Sequence, residues 1–191
     1  MQYKLTTPCT AEDLAPLKAG DTVLLSGVVY TARDQAHKRM LEALDKGEKL
    51  PFDLEGSAIY YVGPTPERPG EIIGSAGPTT SGRMDAMSPR LLDLGNKIMI
   101  GKGKRDAAVK EAVVRNGAVY LAALGGAGAL MAQSVKTLEV IAWPDLGCEA
   151  VRRLTVEDMP LTVILDAHGG DLYLSGPAAY KRQQGEVAEE L

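Results

Sequence analysis

The run Thr79-Thr80-Ser81, followed at once by Gly82-Arg83, lies inside the segment SAGPTTSGRMD, Ser75 to Asp85. Hydroxyls beside a glycine and an arginine suit two tasks. They can cap a helix, or they can hold an anion between backbone N–H groups and a guanidinium. The same question arises twice more. Arg33 follows Thr31 by two positions, and Lys102, Lys104 and Arg105 crowd the segment GKGKR. Each of these cations falls where the pattern predicts a helix to begin. The helix dipole is positive there, so an exposed cation costs about 0.3–1 kcal/mol. An anion at each start would offset that cost. Read singly, each loop is better explained by plain capping, by glycine freedom, or by a solvated basic turn. Read together, in a chain of net charge −4, the three favour an anion site. Arg33 and Arg83 would contribute planar forks matched to carboxylate or phosphate.

The elements that must position these residues alternate between strand and helix. A strand is predicted over Thr22–Ser26. A helix capped by Thr31 and running to about Asp45 then places Arg33, His37, Met40 and Leu44 on one face. Strands follow at Ser57–Val62 and Ile98–Ile100, with a helix from about Arg83 to Leu94 between them. A helix buried through Ala107, Val109, Val113 and Val114 leads to another strand after Asn116-Gly117. GGAGAL, Gly125 to Leu130, lacks the GK[ST] ending of a phosphate loop and reads as a tight turn into a packed helix. Two further strands are predicted beyond Cys148, with a turn at His168, and residues 176–191 form a final helix or tail. The βαβ pattern favours parallel strands. The class is α/β with a mixed sheet, in one domain spanning 1–191.

Composition narrows the functions. The chain has 191 residues, 45% of them hydrophobic and 24% charged, an ordinary globular balance. The acidic charge and an aromatic content of 5% argue against nucleic acid, which needs a basic face and stacking platforms. No apolar run approaches the roughly 20 residues of a membrane span, and the start lacks the apolar region of a signal peptide. A cytoplasmic protein is expected. Cys9 and Cys148 have no CxxC spacing and His37 and His168 are the only histidines, so no metal site is expected within this chain.

GPTTSGRMD, with YTARDQAHKR, IGKGKR, YLAALGGAGAL and the late LGCEAVRRLTVEDMPLTVILDAHGGDLY, resembles the β subunit, or C-terminal domain, of class I iron–sulfur hydro-lyases. These are the class I fumarate hydratases and the L(+)-tartrate dehydratases. The resemblance runs from about Leu5 to Tyr173 with the motifs in family order. It implies a single swivelling β/β/α-type domain that works only with an α subunit, in a hetero-oligomer built as a dimer of αβ pairs. It implies a [4Fe–4S] cluster held on that partner by three cysteines, and a small dicarboxylate as substrate. Arg33, Arg83 and Lys102 match the family's substrate-binding cations, and Thr79 its proposed catalytic base or acid. Asp34, His37 and Thr80 match supporting positions. The implied reaction is reversible hydration of fumarate to (S)-malate. Dehydration of L(+)-tartrate is the alternative within the family. A non-catalytic carboxylate-binding or regulatory domain is the alternative from another class.

Overall fold

The computed structural model describes residues 1–188, with side chains through residue 181. Seven strands form one mixed sheet: β1 (Gln2–Thr7), β2 (Thr22–Thr31), β3 (Ala58–Tyr60), β4 (Ile98–Gly101), β5 (Val119–Ala122), β6 (Val135–Ala142) and β7 (Val151–Leu165). Strands β1 to β5 run parallel in that order. Strand β7 runs antiparallel to both β5 and β2. That double pairing closes β2, β3, β4, β5 and β7 into a five-strand barrel, with β1 and β6 appended.

The closure explains why β3, β4 and β5 are apolar at nearly every position rather than alternating. Ala58, Tyr60, Ile98, Ile100, Val119 and Leu121 pack on one side with Val23, Leu25, Leu161 and Val163. Ile59, Met99 and Tyr120 face the other way, beneath helices α2 (Asp34–Asp45), α3 (Ser88–Asp93) and α4 (Ala107–Arg115). Full burial of an Ile or Leu side chain stabilises by about 1.5–3 kcal/mol, so both layers contribute strongly. Short helices α1 (Ala11–Leu14) and α5 (Gly128–Gln133) and the terminal α6 (Leu172–Ala188) complete the fold. Among the described residues no helix is long and apolar enough to cross a membrane.

The α/β class and the mixed sheet agree with expectation. Several boundaries do not. Thr31 is no cap: it belongs to β2, is fully buried, donates its hydroxyl to Ala150 O at 3.2 Å and accepts Arg152 N–H at 3.0 Å. Helix α2 starts at Asp34 with Arg33 as its N-cap, without a capping side-chain bond. The helix predicted over Arg83–Leu94 is a 3-10 turn at Ser81–Met84 followed by α3. Pro89 is the reason, since it has no N–H for a helix begun at Arg83. Helix α4 buries Val109, Ala112 and Val113 and exposes Val114, as spacings of three and four require. The two late strands are one, β7, bent at Asp158, whose φ is 45°. The tail is helical already from Leu172, and the last residues of the predicted 176–191 segment, 189–191, lie outside the described residues.

Candidate functional site

Parallel strands β2, β3, β4 and β5 end at one edge, the usual ligand edge of such sheets. The loop after each carries one part of the candidate site. Arg33 follows β2. The long loop after β3 contains Gly63 and returns through Thr79 to Arg83. Lys102 follows β4, and the glycine-rich loop Gly125–Gly128 follows β5. The start of β7 reaches the same edge, because Arg152 pairs with Thr31.

The two arginines converge on one carboxylate. Arg83 Nε lies 2.9 Å from Asp34 Oδ1. Arg33 Nη2 lies 3.9 Å from Asp34 Oδ2 and 3.5 Å from Glu149 Oε1. Asp34 opens α2, where an acidic residue complements the dipole. Arg33 is 17% exposed, yet among the described residues its guanidinium donates no hydrogen bond. Its Nε is buried without a partner, as are Asp34 Oδ2 and His37 Nε2. Both Arg33 ion pairs are longer than the 2.7–3.2 Å of a working N–H···O bond. The guanidinium is therefore held by charge alone, with none of its N–H groups in a hydrogen bond among the described residues.

Lys102 reaches the site by backbone pairing. Thr80 and Lys102 form a parallel bridge, Ser81 N–H donates to Lys102 O at 2.8 Å, and Lys102 N–H donates to Ser81 Oγ at 3.1 Å. Tyr120 OH lies 2.9 Å from that same Ser81 Oγ. The Lys102 side chain is exposed and makes no ion pair among the described residues. Thr79 is half-buried and anchored by its N–H to Tyr61 O at 2.8 Å. Thr80 is exposed, with its methyl against Gly103.

His37 is fully buried and donates from Nδ1 to Arg33 O at 2.9 Å. Its ring meets Tyr61 edge to face at 5.3 Å. Burial lowers its pKa from 6.5 to about 4, so it stands neutral beneath Arg33 and fixes the turn carrying it.

Arg105 is not a rim cation. Its side chain is fully buried, its Nε bonds Asp85 Oδ1 at 2.5 Å and its Nη2 donates to Ser88 Oγ at 2.8 Å. The guanidinium also sits 5.4 Å from the Tyr61 ring and 5.1 Å from the Tyr120 ring. It braces the site from below. Lys104 is exposed.

Sequence reasoning passed over Glu149, while GGAGAL is, as expected, a turn leading into helix α5. Glu149 sits in a 3-10 turn, Pro144–Glu149, and accepts Gln35 N–H at 2.9 Å. Nothing near it in sequence announces a partner so distant. The glycine-rich loop passes beside Lys102: a Cβ on Gly125 would stand 3.8 Å from Lys102 Cδ. One on Gly128 would stand 2.2 Å from Ser75 Oγ. His168 is a turn residue, as expected, with Nε2 2.7 Å from Ala15 O.

Two surface hollows, of about 550 and 430 Å³, lie alongside this edge under residues 64–75 rather than on the arginines or Thr79. The cation cluster is an open rim. The residues present do not fit a thiolate-held metal cluster. Among the described residues no group of three His, Cys, Asp or Glu could hold a metal ion. Cys9 is buried, and burial aided by Asp13 pushes its thiol up to about 11, against the thiolate a metal needs. Cys148 is exposed in a separate turn.

A family model described as Fumarase C-terminus matches residues 1–176. The putative L(+)-tartrate dehydratase subunit beta of Methanocaldococcus jannaschii is 42% identical over 170 residues, covering 86% of this chain and 87% of that one. The L(+)-tartrate dehydratase subunit beta of Escherichia coli is 32% identical over 196 residues, covering 100% and 96%. The aerobic class I fumarate hydratase of Salmonella typhimurium is 38% identical over 164 residues, covering 85% of this chain and 28% of that one. The chain thus spans less than a third of the fumarate hydratases it matches, and most of the tartrate dehydratase β subunits.

Proposed function

The chain belongs to the fumarase C-terminal family, and from that premise we propose that it is the β subunit of a two-subunit hydro-lyase that reversibly hydrates fumarate to (S)-malate. The observation that carries this reading is the idle guanidinium of Arg33, held with Arg83 on the shared Asp34 carboxylate. A diacid presents two carboxylates to such a rim. Arg33 and Arg83 would grip one, bidentate where the fork allows, and Lys102 the other. Hydration places a proton on one alkene carbon and hydroxide on its neighbour. In this chain Thr79 Oγ1 would move the proton. A threonine hydroxyl is a weak base, and the nearby cations would favour its alkoxide.

The iron–sulfur cluster of such an enzyme would belong to an α subunit, because the cysteines here do not suit it. An open rim also agrees with a site completed by a second chain. The assembly would be a dimer of αβ pairs in the cytoplasm, with this chain inactive alone.

One observation favours L(+)-tartrate as the substrate: the relatives matched over most of their own length are named for it. Tartrate offers the same two carboxylates, so the rim accepts either. The experiment is co-expression with a cluster-bearing α chain and anaerobic assay of both diacids. Turnover of fumarate that falls sharply in Thr79→Ala supports the reading. Turnover of tartrate alone selects the second reading. Turnover of neither, or full activity in Thr79→Ala, contradicts the proposal. Turnover of neither leaves a non-catalytic carboxylate-binding domain or a regulator, whereas full activity in Thr79→Ala removes Thr79 from the chemistry.

A further inference from the structure

We propose that Glu149 is an internal carboxylate that competes with the substrate for Arg33 and thereby sets the affinity of the site. This rests on the carboxylate-binding reading above. The Glu149 side chain is 18% exposed and spans two partners. Oε2 accepts Gln35 N–H at 2.9 Å, a full hydrogen bond at the start of α2. Oε1 stands 3.5 Å from Arg33 Nη2, an ion pair without a hydrogen bond. The two contacts are unequal, and that inequality is the argument. When an incoming carboxylate takes Arg33, Glu149 keeps its bond to Gln35 and gives up only the looser pair.

The turn carrying Glu149 is fixed at several points, which confines the exchange to the side chain. Arg152 donates to Gly147 O at 2.9 Å and to Cys148 O at 3.0 Å. Arg39 bonds both oxygens of Asp145. Gly63 closes the other flank of Arg33: a Cβ there would stand 2.5 Å from Nη1 and 3.4 Å from Cys148 O. Asp34 and Glu149 together give Arg33 two negative neighbours. A ligand must outbid the Glu149 charge to bind.

The test uses calorimetric titration of the full chain with fumarate, comparing the native protein with Glu149→Gln and Glu149→Asp. The glutamine variant keeps an oxygen for Gln35 N–H and removes the charge. We expect it to bind fumarate about fivefold more tightly, the scale of a loose ion pair without a hydrogen bond. The aspartate variant keeps the charge but draws it back from Arg33, and should fall between. If the native chain binds fumarate and Glu149→Gln binds it equally or more weakly, Glu149 is an anchor and the competition is overturned, while the carboxylate site stands. If no form of the chain binds fumarate alone, the same titration is made on its complex with a cluster-bearing α chain, and absence of binding there too overturns the carboxylate reading and this inference with it.

Discussion

Arg83 Nε stands 2.9 Å from Asp34 Oδ1, and the other oxygen of that carboxylate faces Arg33 Nη2 at 3.9 Å. Two cations from loops far apart in sequence are thus held at one point by an acid that belongs to the helix behind them. The shorter contact holds the more exposed arginine, Arg83, at 51% exposure. The longer one falls on the more buried arginine, Arg33, at 17% exposure, which is also 3.5 Å from Glu149 Oε1. The shared carboxylate offsets the repulsion of the two guanidinium groups.

Gly63→Ala tests whether the placement of Arg33, rather than its presence, matters. The added methyl would meet Arg33 Nη1 at 2.5 Å and Cδ at 3.3 Å, with Cys148 O at 3.4 Å; the one severe overlap is with the far end of a flexible side chain, so the main response is displacement of the guanidinium. The expected result is weaker fumarate binding by roughly tenfold, on the scale of one charged hydrogen bond, with a melting temperature close to native. Titration calorimetry and thermal melts read the two effects separately.

Arg105→Met tests the brace beneath the rim. It leaves the Asp85 carboxylate, 12% exposed, without its cation. Removing one partner of a buried pair costs about 3–5 kcal/mol, so the melting temperature should fall by roughly 10 °C. Arg153→Met breaks the exposed pair with Glu139 and should cost less than about 1 kcal/mol. Equal losses in the two variants would contradict the assignment of Arg105 to the interior.

His37 makes stability depend on acid. Burial lowers its folded pKa to about 4, from 6.5 when unfolded. Above 6.5 both states are neutral and the stabilisation is complete. As pH falls from about 6.5 towards 4 the unfolded state takes the proton first, and stability drops. His37→Asn retains a donor for Arg33 O and does not titrate. Denaturant midpoints measured between pH 7 and 4.5 should fall less steeply for this variant than for the native chain.

Gly101→Ala addresses the register that delivers Lys102. A Cβ at Gly101 would lie 2.0 Å from Ser81 Oγ and 3.0 Å from Tyr61 Cδ2. Ser81 cannot then both accept from Lys102 N–H and stay beside Tyr120. Loss of fumarate binding together with a lower melting temperature is expected, in contrast to Gly63→Ala.

How much of this could be read beforehand depended on whether the signal was local. Strands β4 and β5 were legible because burial on both faces leaves unbroken apolar runs at Ile98–Ile100 and Val119–Leu121. Of the three cations expected at helix starts, only Arg33 stands at one, as the N-cap of α2; Arg83 lies in the 3-10 turn Ser81–Met84, and α4 opens at Ala107 on an acidic cap, Asp106, five residues after Lys102. Arg105 shared that expectation and turned inward, since its partners Asp85, Tyr61 and Tyr120 come from three separate elements. Barrel closure depends on β7 pairing with both β2 and β5, a long-range relation that no window of residues contains. Glu149 was illegible for the same reason, because its hydrogen-bond partner Gln35 lies 114 positions away.

The central claim is that Arg33 and Arg83 jointly bind one dicarboxylate. The direct measurement is kcat/KM for fumarate in the complex with a cluster-bearing α chain, comparing native protein with Arg33→Ala and Arg83→Ala. Each substitution should lower kcat/KM by about ten- to a hundredfold, as loss of a charged hydrogen bond requires, and Arg33→Lys should restore little of it because the fork is lost. Native kcat/KM in either alanine variant would contradict the account.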